Sequence, residues 1–207
     1  MTPAAGTAPL VGLLLAAGRG TRFDASGQRN KLLATVNNEP IALLAARHLR
    51  SVVDRLLIVT RPGAQALAQT LTSIDATVLE CPDAAAGMGH SLAFGVAQAL
   101  RLFAPRALLV ALADMPYVRN TTLLALTHQA LRDDVNFDDV IAVPRFNGQR
   151  GHPVLFGRGH FAQLQQSVGD AGAARLLRAD SVHWIDVDDP GVIRDIDRPQ
   201  DLLSTSE

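Results

Sequence analysis

The sequence predicts an α/β protein, a single three-layer α/β/α domain on a mostly parallel, Rossmann-like sheet with a small β-hairpin insertion. Three observations predict it. Short apolar runs, of the kind that form buried parallel strands, alternate with amphipathic helical stretches. The first run, Leu10 to Ala16, leads straight into the glycine loop Gly18-Arg19-Gly20, as a strand does when its carboxyl end faces a ligand. The length of 207 residues suits one such domain, which buries roughly 70% of the unfolded surface.

Each element follows from local pattern. Residues 1–9 are small, polar and proline-containing, and are expected to form a flexible lead. The domain is expected over 10–204. Pro40 opens a helix to about Arg50, with Ile41, Leu44, Ala45, His48 and Leu49 on one face. Leu56–Val59 reads as a second strand, 63–73 as a helix and Thr77–Leu79 as a third strand. A polar loop over 82–89 precedes a helix from about His90 to Phe103. Ala107–Leu112 is the fourth strand, ending in Asp114-Met115-Pro116, and 120–132 is a helix. Asp139–Val143 is the fifth strand. The turn residues Asn147-Gly148 then separate it from strand-like Val154–Phe156. Short helices near 158–167 and 171–178, a strand at 182–187 and a helix after Pro199 complete the chain.

Composition excludes several function classes. A hydrophobic content of 48% rules out a disordered chain. Nineteen basic against 20 acidic residues leave no broad basic stripe for nucleic acid. Trp184 and Tyr117 are isolated, so there is no stacking platform for a single strand. No apolar run reaches the ~18–20 residues of a membrane span. No export signal is read at the N-terminus, and Cys81 is the sole cysteine. These features predict a cytoplasmic protein without disulfides, a Cys-metal centre or a membrane anchor. Of the basic residues, 18 are Arg and one is Lys, Lys31.

The densest local signal is Leu15-Ala16-Ala17-Gly18-Arg19-Gly20-Thr21-Arg22-Phe23. It is not a Rossmann fingerprint, because Phe23 stands where the third glycine is needed. It is not a P-loop either, because Lys31 follows Asn30 and precedes Leu32. What remains is a glycine loop carrying Arg19 and Arg22, with Lys31 one loop away, a cradle for several phosphates. The plainer alternative is a βα turn with solvated arginines.

The motifs resemble those of the nucleotidyltransferases that act on molybdopterin, and most closely the molybdenum cofactor cytidylyltransferase branch. The matching stretches are 15–23, Asn30-Lys31-Leu32-Leu33, Gly87-Met88-Gly89-His90-Ser91-Leu92, Leu112-Ala113-Asp114-Met115-Pro116, Arg150-Gly151-His152-Pro153-Val154, Gly169-Asp170-Ala171-Gly172 and Asp195-Ile196-Asp197. They keep the family's order across residues 13–203. Asp24 departs from the family's glycine, and the loop from Arg22 to Lys31 is a few residues longer than usual.

The resemblance implies transfer of CMP from CTP to the terminal phosphate of a molybdopterin-type pterin, with release of pyrophosphate. It implies Mg²⁺, or Mn²⁺, as cofactor, and a molybdoenzyme or its chaperone as a possible recipient of the product. Arg22, Lys31 and Asp114 would be catalytic. Leu15, Ala16, Ala17, Gly18, Arg19, Gly20, Arg22, Lys31, Gly87, Gly89 and Ser91 would bind the nucleotide. Arg150, His152 and Asp170 would face the acceptor, and Asp114 with Asp195 or Asp197 would hold the metal. A carboxylate at a strand end suits Mg²⁺. Alternate positions such as 195 and 197 share a face when extended. Plainer roles compete: helix caps for Asp114, Asp170, Asp197 and Ser91. His90 is at most a binding residue, since a phosphate nucleophile is already ionised. In the family, Ala at position 17 goes with cytidylyl transfer and Gly with guanylyl transfer. A methyl there narrows the base pocket. The alternatives are a guanylyltransferase on the same acceptor, another small phosphate-acceptor nucleotidyltransferase, and a non-catalytic nucleotide-binding accessory protein for a molybdoenzyme. The sole lysine falls inside the proposed phosphate loop, where a compact ammonium fits and a planar guanidinium does not.

Overall fold

Strand β1 (Leu10–Ala16) lies in the middle of the sheet because both its faces are apolar. Leu14 and Ala16 pack into one core, Leu13 and Leu15 into the other, and all seven residues are buried. The computed structural model describes residues 8–26, 29–129, 137–169, 172–178 and 182–202. After β1 come β2 (Thr35–Val36), β3 (Glu39–Pro40), α1 (Ile41–Arg50), β4 (Arg55–Thr60), α2 (Gln65–Leu71) and β5 (Thr77–Glu80). Then follow α3 (Met88–Phe103), β6 (Ala107–Leu112), α4 (Asn120–Gln129), β7 (Ile141–Phe146), β8 (Gln149–Arg150), β9 (Val154–Gly157), α5 (Phe161–Leu164) and β10 (Val182–Asp186).

The main sheet runs β10-β7-β9-β6-β1-β4-β5, with β8 paired to β7. It is mostly parallel, as expected, but β9 runs antiparallel to both β6 and β7. Chain length explains the reversal. A parallel neighbour needs a crossover of a dozen or more residues, and the segment 147–153 is too short for one. The hairpin β7–β8 turns on Asn147 and Gly148, both at positive φ (49° and 77°), the turn that Asn-Gly encodes. A second ribbon, β2–β3, was not expected; it turns on Asn37 and Asn38 at φ 51° and 65°.

Other boundaries moved. Helix α3 starts two residues earlier than expected, because Gly87 at φ 121° supplies its N-terminal boundary. The stretch 158–167 holds a 3₁₀ turn, Arg158–His160, and then the single turn of α5. Near 171–178 the described part is a 3₁₀ turn, Leu176–Arg178, and the segment after Pro199 is also 3₁₀. The described helices sandwich the sheet, with α1, α2 and α4 on one face and α3 and α5 on the other. None is long and apolar enough to cross a membrane.

The chain leaves β1 toward β4 and β5, then returns across it to β6. Adjacent strands β1 and β6 therefore send their connections in opposite directions, which opens a crevice at their carboxyl ends. Their ends are tied there: the Ala113 N–H donates to the Leu15 carbonyl at 3.0 Å. The acidic C-terminal segment lies across this edge. The Ile196 N–H donates to the Asp114 carbonyl at 2.9 Å, and the His152 N–H to the Val192 carbonyl at 2.8 Å. Gly191 is pressed so close that a Cβ would sit 2.2 Å from the Tyr117 carbonyl oxygen.

Asp189 anchors that segment. It is 2% exposed and accepts from Arg119 N–H at 2.9 Å, Thr122 Oγ1 at 2.7 Å and Gly191 N–H at 2.9 Å. Removing the carboxylate strands buried donors, each costing about 1–3 kcal/mol. Asp189→Ala is expected to destabilise the fold by about 3 kcal/mol and lower Tm by roughly 6–12 °C. Calorimetry showing a shift within 1–2 °C of wild type would remove Asp189 as the anchor.

Candidate active site

The loop after β1 is shaped by its own side chains. Asp24 accepts from Ser26 N–H at 3.0 Å, Ser26 Oγ at 2.7 Å and Arg29 N–H at 2.7 Å. Asp24 thus ties Ser26 and Arg29 to the start of the loop. Asn30 then caps a 3₁₀ turn, Lys31–Leu33, by accepting from the Leu32 N–H at 3.0 Å. That turn points Lys31 inward. Gly20, at φ +63°, gives the lysine stem room, since a Cβ there would lie 3.0 Å from Lys31 Cβ.

Lys31 is buried among carboxylates rather than directed into open space. Its ammonium donates to Asp114 Oδ2 at 2.7 Å and Asp197 Oδ1 at 3.0 Å. Arg22 pairs with the other oxygen of Asp197. Asp114, Asp195 and Asp197 bring one oxygen each within 4.8 Å of one another. Three hard oxygen donors in one place fit Mg²⁺ or Mn²⁺ by ligand chemistry. Burial lowers the affinity of Lys31 for its proton, but the charge of Asp114 and the bonds to both aspartates outweigh it and raise its pKa. Burial pushes Asp197 up, yet Lys31 and Arg22 hold it below the usual carboxylate range. Asp195 is raised, by burial first and then by the neighbouring charge of Asp197.

Two adjoining cavities open at this crevice. The larger, about 270 Å³, is lined by Leu15, Ala17, Gly18 and Arg19 from the β1 end. Ala84, Ala85, Gly87, Met88 and Ser91 line it from the α3 side, and Leu112 and Asp114 from the β6 end. The smaller, about 70 Å³, shares Leu15, Met88 and Leu112 and carries Arg150 and His152 against Val110, Val154 and Phe156.

These positions sort the expected residues. Leu15, Ala17, Gly18, Arg19, Gly87, Ser91 and Asp114 line one cavity, and Arg150 and His152 line the next. Ala16 faces the opposite core, with α1 and α2. Gly20 serves Lys31 packing, as above. Gly89 lies against the backbone of the 168–169 loop, where a Cβ would be 2.7 Å from the Val168 carbonyl, and its N–H donates to the Gly169 carbonyl at 2.6 Å. At Gly89, expected at the nucleotide, the structure shows close packing against this loop instead. Asp170 lies outside the described residues.

The capping alternatives fail for three residues. Asp114 lies well before α4, which starts at Asn120. Asp201, not Asp197, accepts from the N–H groups of Asp197 and Arg198. Ser91 sits inside α3, buried at 2% exposure. Sequence reasoning missed Met88, Ala84, Ala85 and Leu112 as cavity wall, although Met88 and Leu112 lie inside motifs it singled out and Ala84 and Ala85 lie just before one. It also missed Asp189, whose only local signal was the following Pro190-Gly191.

Comparison with known proteins agrees with this geometry. The profile of the MobA-like NTP transferase domain matches residues 12–184. The chain belongs to that family. Among its relatives is the purine catabolism protein PucB of Bacillus subtilis (strain 168), 30% identical over 203 residues, covering 93% of each chain. Another is the molybdenum cofactor guanylyltransferase of Burkholderia cenocepacia (strain HI2424), 32% identical over 182 residues, covering 86% of this chain and 81% of that one. Rv0371c of Mycobacterium tuberculosis H37Rv shares the fold with a TM-score of 0.74 at 24% identity, covering 95% of this chain and 96% of that one. Its complex with manganese matches at TM-score 0.70 and 25% identity, covering 96% and 100% of the two chains.

His152 is half-buried with its Nδ1 unpartnered, and burial, then the Arg150 charge, pushes its pKa down to about 4 from 6.5. It is therefore a neutral imidazole at neutral pH and adds no positive charge for an acceptor phosphate. Between those two values the unfolded chain takes up a proton that the folded one refuses. Stability is thus expected to fall as pH drops from about 6.5 to about 4, by up to ~3 kcal/mol. His152→Gln should flatten that part of the urea-unfolding profile; an unchanged slope would show that other groups carry it.

Proposed function

We propose that the protein is a cytidylyltransferase that moves CMP from CTP to the terminal phosphate of a molybdopterin-type acceptor. One observation carries the reading. A cavity bordered by the β1 glycine loop and Asp114 shares a wall with a second cavity bearing Arg150, so a nucleotide and a phosphorylated acceptor would have adjoining compartments. In this reading an ionised acceptor oxygen attacks the α-phosphorus, the bond from that phosphorus to the β-bridging oxygen breaks, and pyrophosphate leaves. No general base is needed. Asp114, Asp195 and Asp197 would hold a divalent cation, which supplies charge neutralisation to the phosphates when bound. The manganese complex of Rv0371c supports a divalent cation in this fold.

The chain's own groups do the positioning. Gly18 leaves backbone N–H groups open to phosphate. Arg19 and Arg22 are exposed cations beside the leaving pyrophosphate, where charge grows in the transition state. Ser91 faces the nucleotide cavity as a hydrogen-bonding group for base or ribose. Arg150 takes the acceptor phosphate, and the neutral His152 beside it offers a hydrogen bond rather than a charge.

Ala17 supports the choice of CTP. Its buried methyl forms part of the cavity wall, and a methyl there narrows the space for a base. The second reading is guanylyl transfer to the same acceptor, favoured by the names of the Burkholderia relatives.

Purified protein given Mg²⁺, molybdopterin and each of four nucleoside triphosphates is expected to release pyrophosphate with CTP alone. Preference for GTP would establish the second reading, and no turnover with any would favour the accessory one. Asp114→Asn is expected to lower kcat by ~10²-fold or more, since loss of metal charge stabilisation costs several kcal/mol. A near-normal kcat would take Asp114 out of the chemistry.

A further inference from the structure

Lys31 and a divalent cation call on the same carboxylates. The Lys31 side chain is 8% exposed, and its ammonium lies 2.7 Å from Asp114 Oδ2 and 3.0 Å from Asp197 Oδ1. Those two carboxylates and Asp195 are the group whose oxygens converge within 4.8 Å. Arg22 already pairs with the second oxygen of Asp197. The cluster therefore has three carboxylates faced by two side-chain cations. A dication arriving beside an ammonium that keeps its bonds meets like charge at contact range.

We propose that Lys31 is the internal counter-ion of this carboxylate cluster, holding Asp114 and Asp197 together in the absence of metal and competing with a divalent cation for them. It acts as a positioning residue through the aspartates. The packing suits a lysine. Its stem runs against Gly20 and its head is small enough to sit between two carboxylates, where a guanidinium would need a wider fork. A cluster without Lys31 would hold three mutually repelling carboxylates. It would be less ordered when empty and more attractive to a dication. The proposal rests on the divalent-metal reading of the site, but its test needs neither nucleotide nor acceptor. A failure to turn over CTP and a failure of the competition are therefore separate results.

The test measures Mn²⁺ affinity by electron paramagnetic resonance on the full chain without nucleotide. Lys31→Met is expected to bind Mn²⁺ at least tenfold more tightly than wild type. Lys31→Arg, which keeps the charge, should not show that gain. Unchanged or weaker binding by Lys31→Met overturns the proposal, as does the absence of Mn²⁺ binding by both proteins. Should Lys31→Met fail to fold, the wild type decides, because Lys31 is the only lysine in the chain. Protein labelled with ¹⁵N,¹³C-lysine gives one side-chain ammonium signal. Saturating Mg²⁺ is expected to shift it and speed its proton exchange as its bonds to carboxylate are lost. A signal that stays in place at saturation overturns the competition.

Discussion

A single buried ammonium ties together the three segments that make the crevice. Lys31 comes from the loop after β1, Asp114 from the end of β6, and Asp197 from the C-terminal segment. A charge of this kind is tolerated away from water only if its partners are close and correctly placed, and losing one partner costs several kcal/mol. The ion pairs therefore make the positions of the three segments interdependent. Backbone bonds reinforce the arrangement, from Ala113 to Leu15 and from Ile196 to Asp114. The anchor at Asp189 fixes the same C-terminal segment from its other end.

The sheet decides where this charge cluster can form. Strands β1 and β6 are neighbours whose connections diverge, so no crossover covers the gap between their carboxyl ends. The gap receives a glycine loop on one side and a carboxylate on the other. The antiparallel entry of β9 brings the residues just before it, Arg150 and His152, to the same edge. A parallel β9 would have put its amino-terminal end, and these residues with it, at the far side of the sheet. The mixed sheet is thus what allows two compartments to share a wall.

This arrangement also reconciles a nearly neutral chain with polyanionic ligands. The balance of 19 basic and 20 acidic residues gives no broad attractive field. Binding then depends on a few fixed charges in one crevice, where water is partly excluded and Coulomb terms count for more. The acidic cluster belongs to the same logic. In the proposed function its carboxylates would face phosphates and would need cations to mediate; Lys31 and Arg22 already pair with two of them.

Much of the architecture was legible because it is written in neighbouring residues. The apolar run Leu10–Ala16, the period of helix α1 and the Asn147-Gly148 turn each carry their geometry locally, through side-chain alternation and permitted backbone angles. The glycine loop, Asp114 at a strand end and the paired Asp195 and Asp197 could likewise be picked out as one chemistry. What the sequence could not carry was non-local. The place of β9 between β6 and β7 depends on which strands it meets, and Gly89, expected at the nucleotide, is covered by Val168. Lys31 was marked by its uniqueness among 18 arginines, but its partners lie 83 and 166 positions away. The sequence by itself determined the main strands, the longer helices and the kinds of charge near the crevice. Only the tertiary structure decided which charges pair, because electrostatic partners are chosen by distance in space, and that distance is set by the packing of the whole sheet.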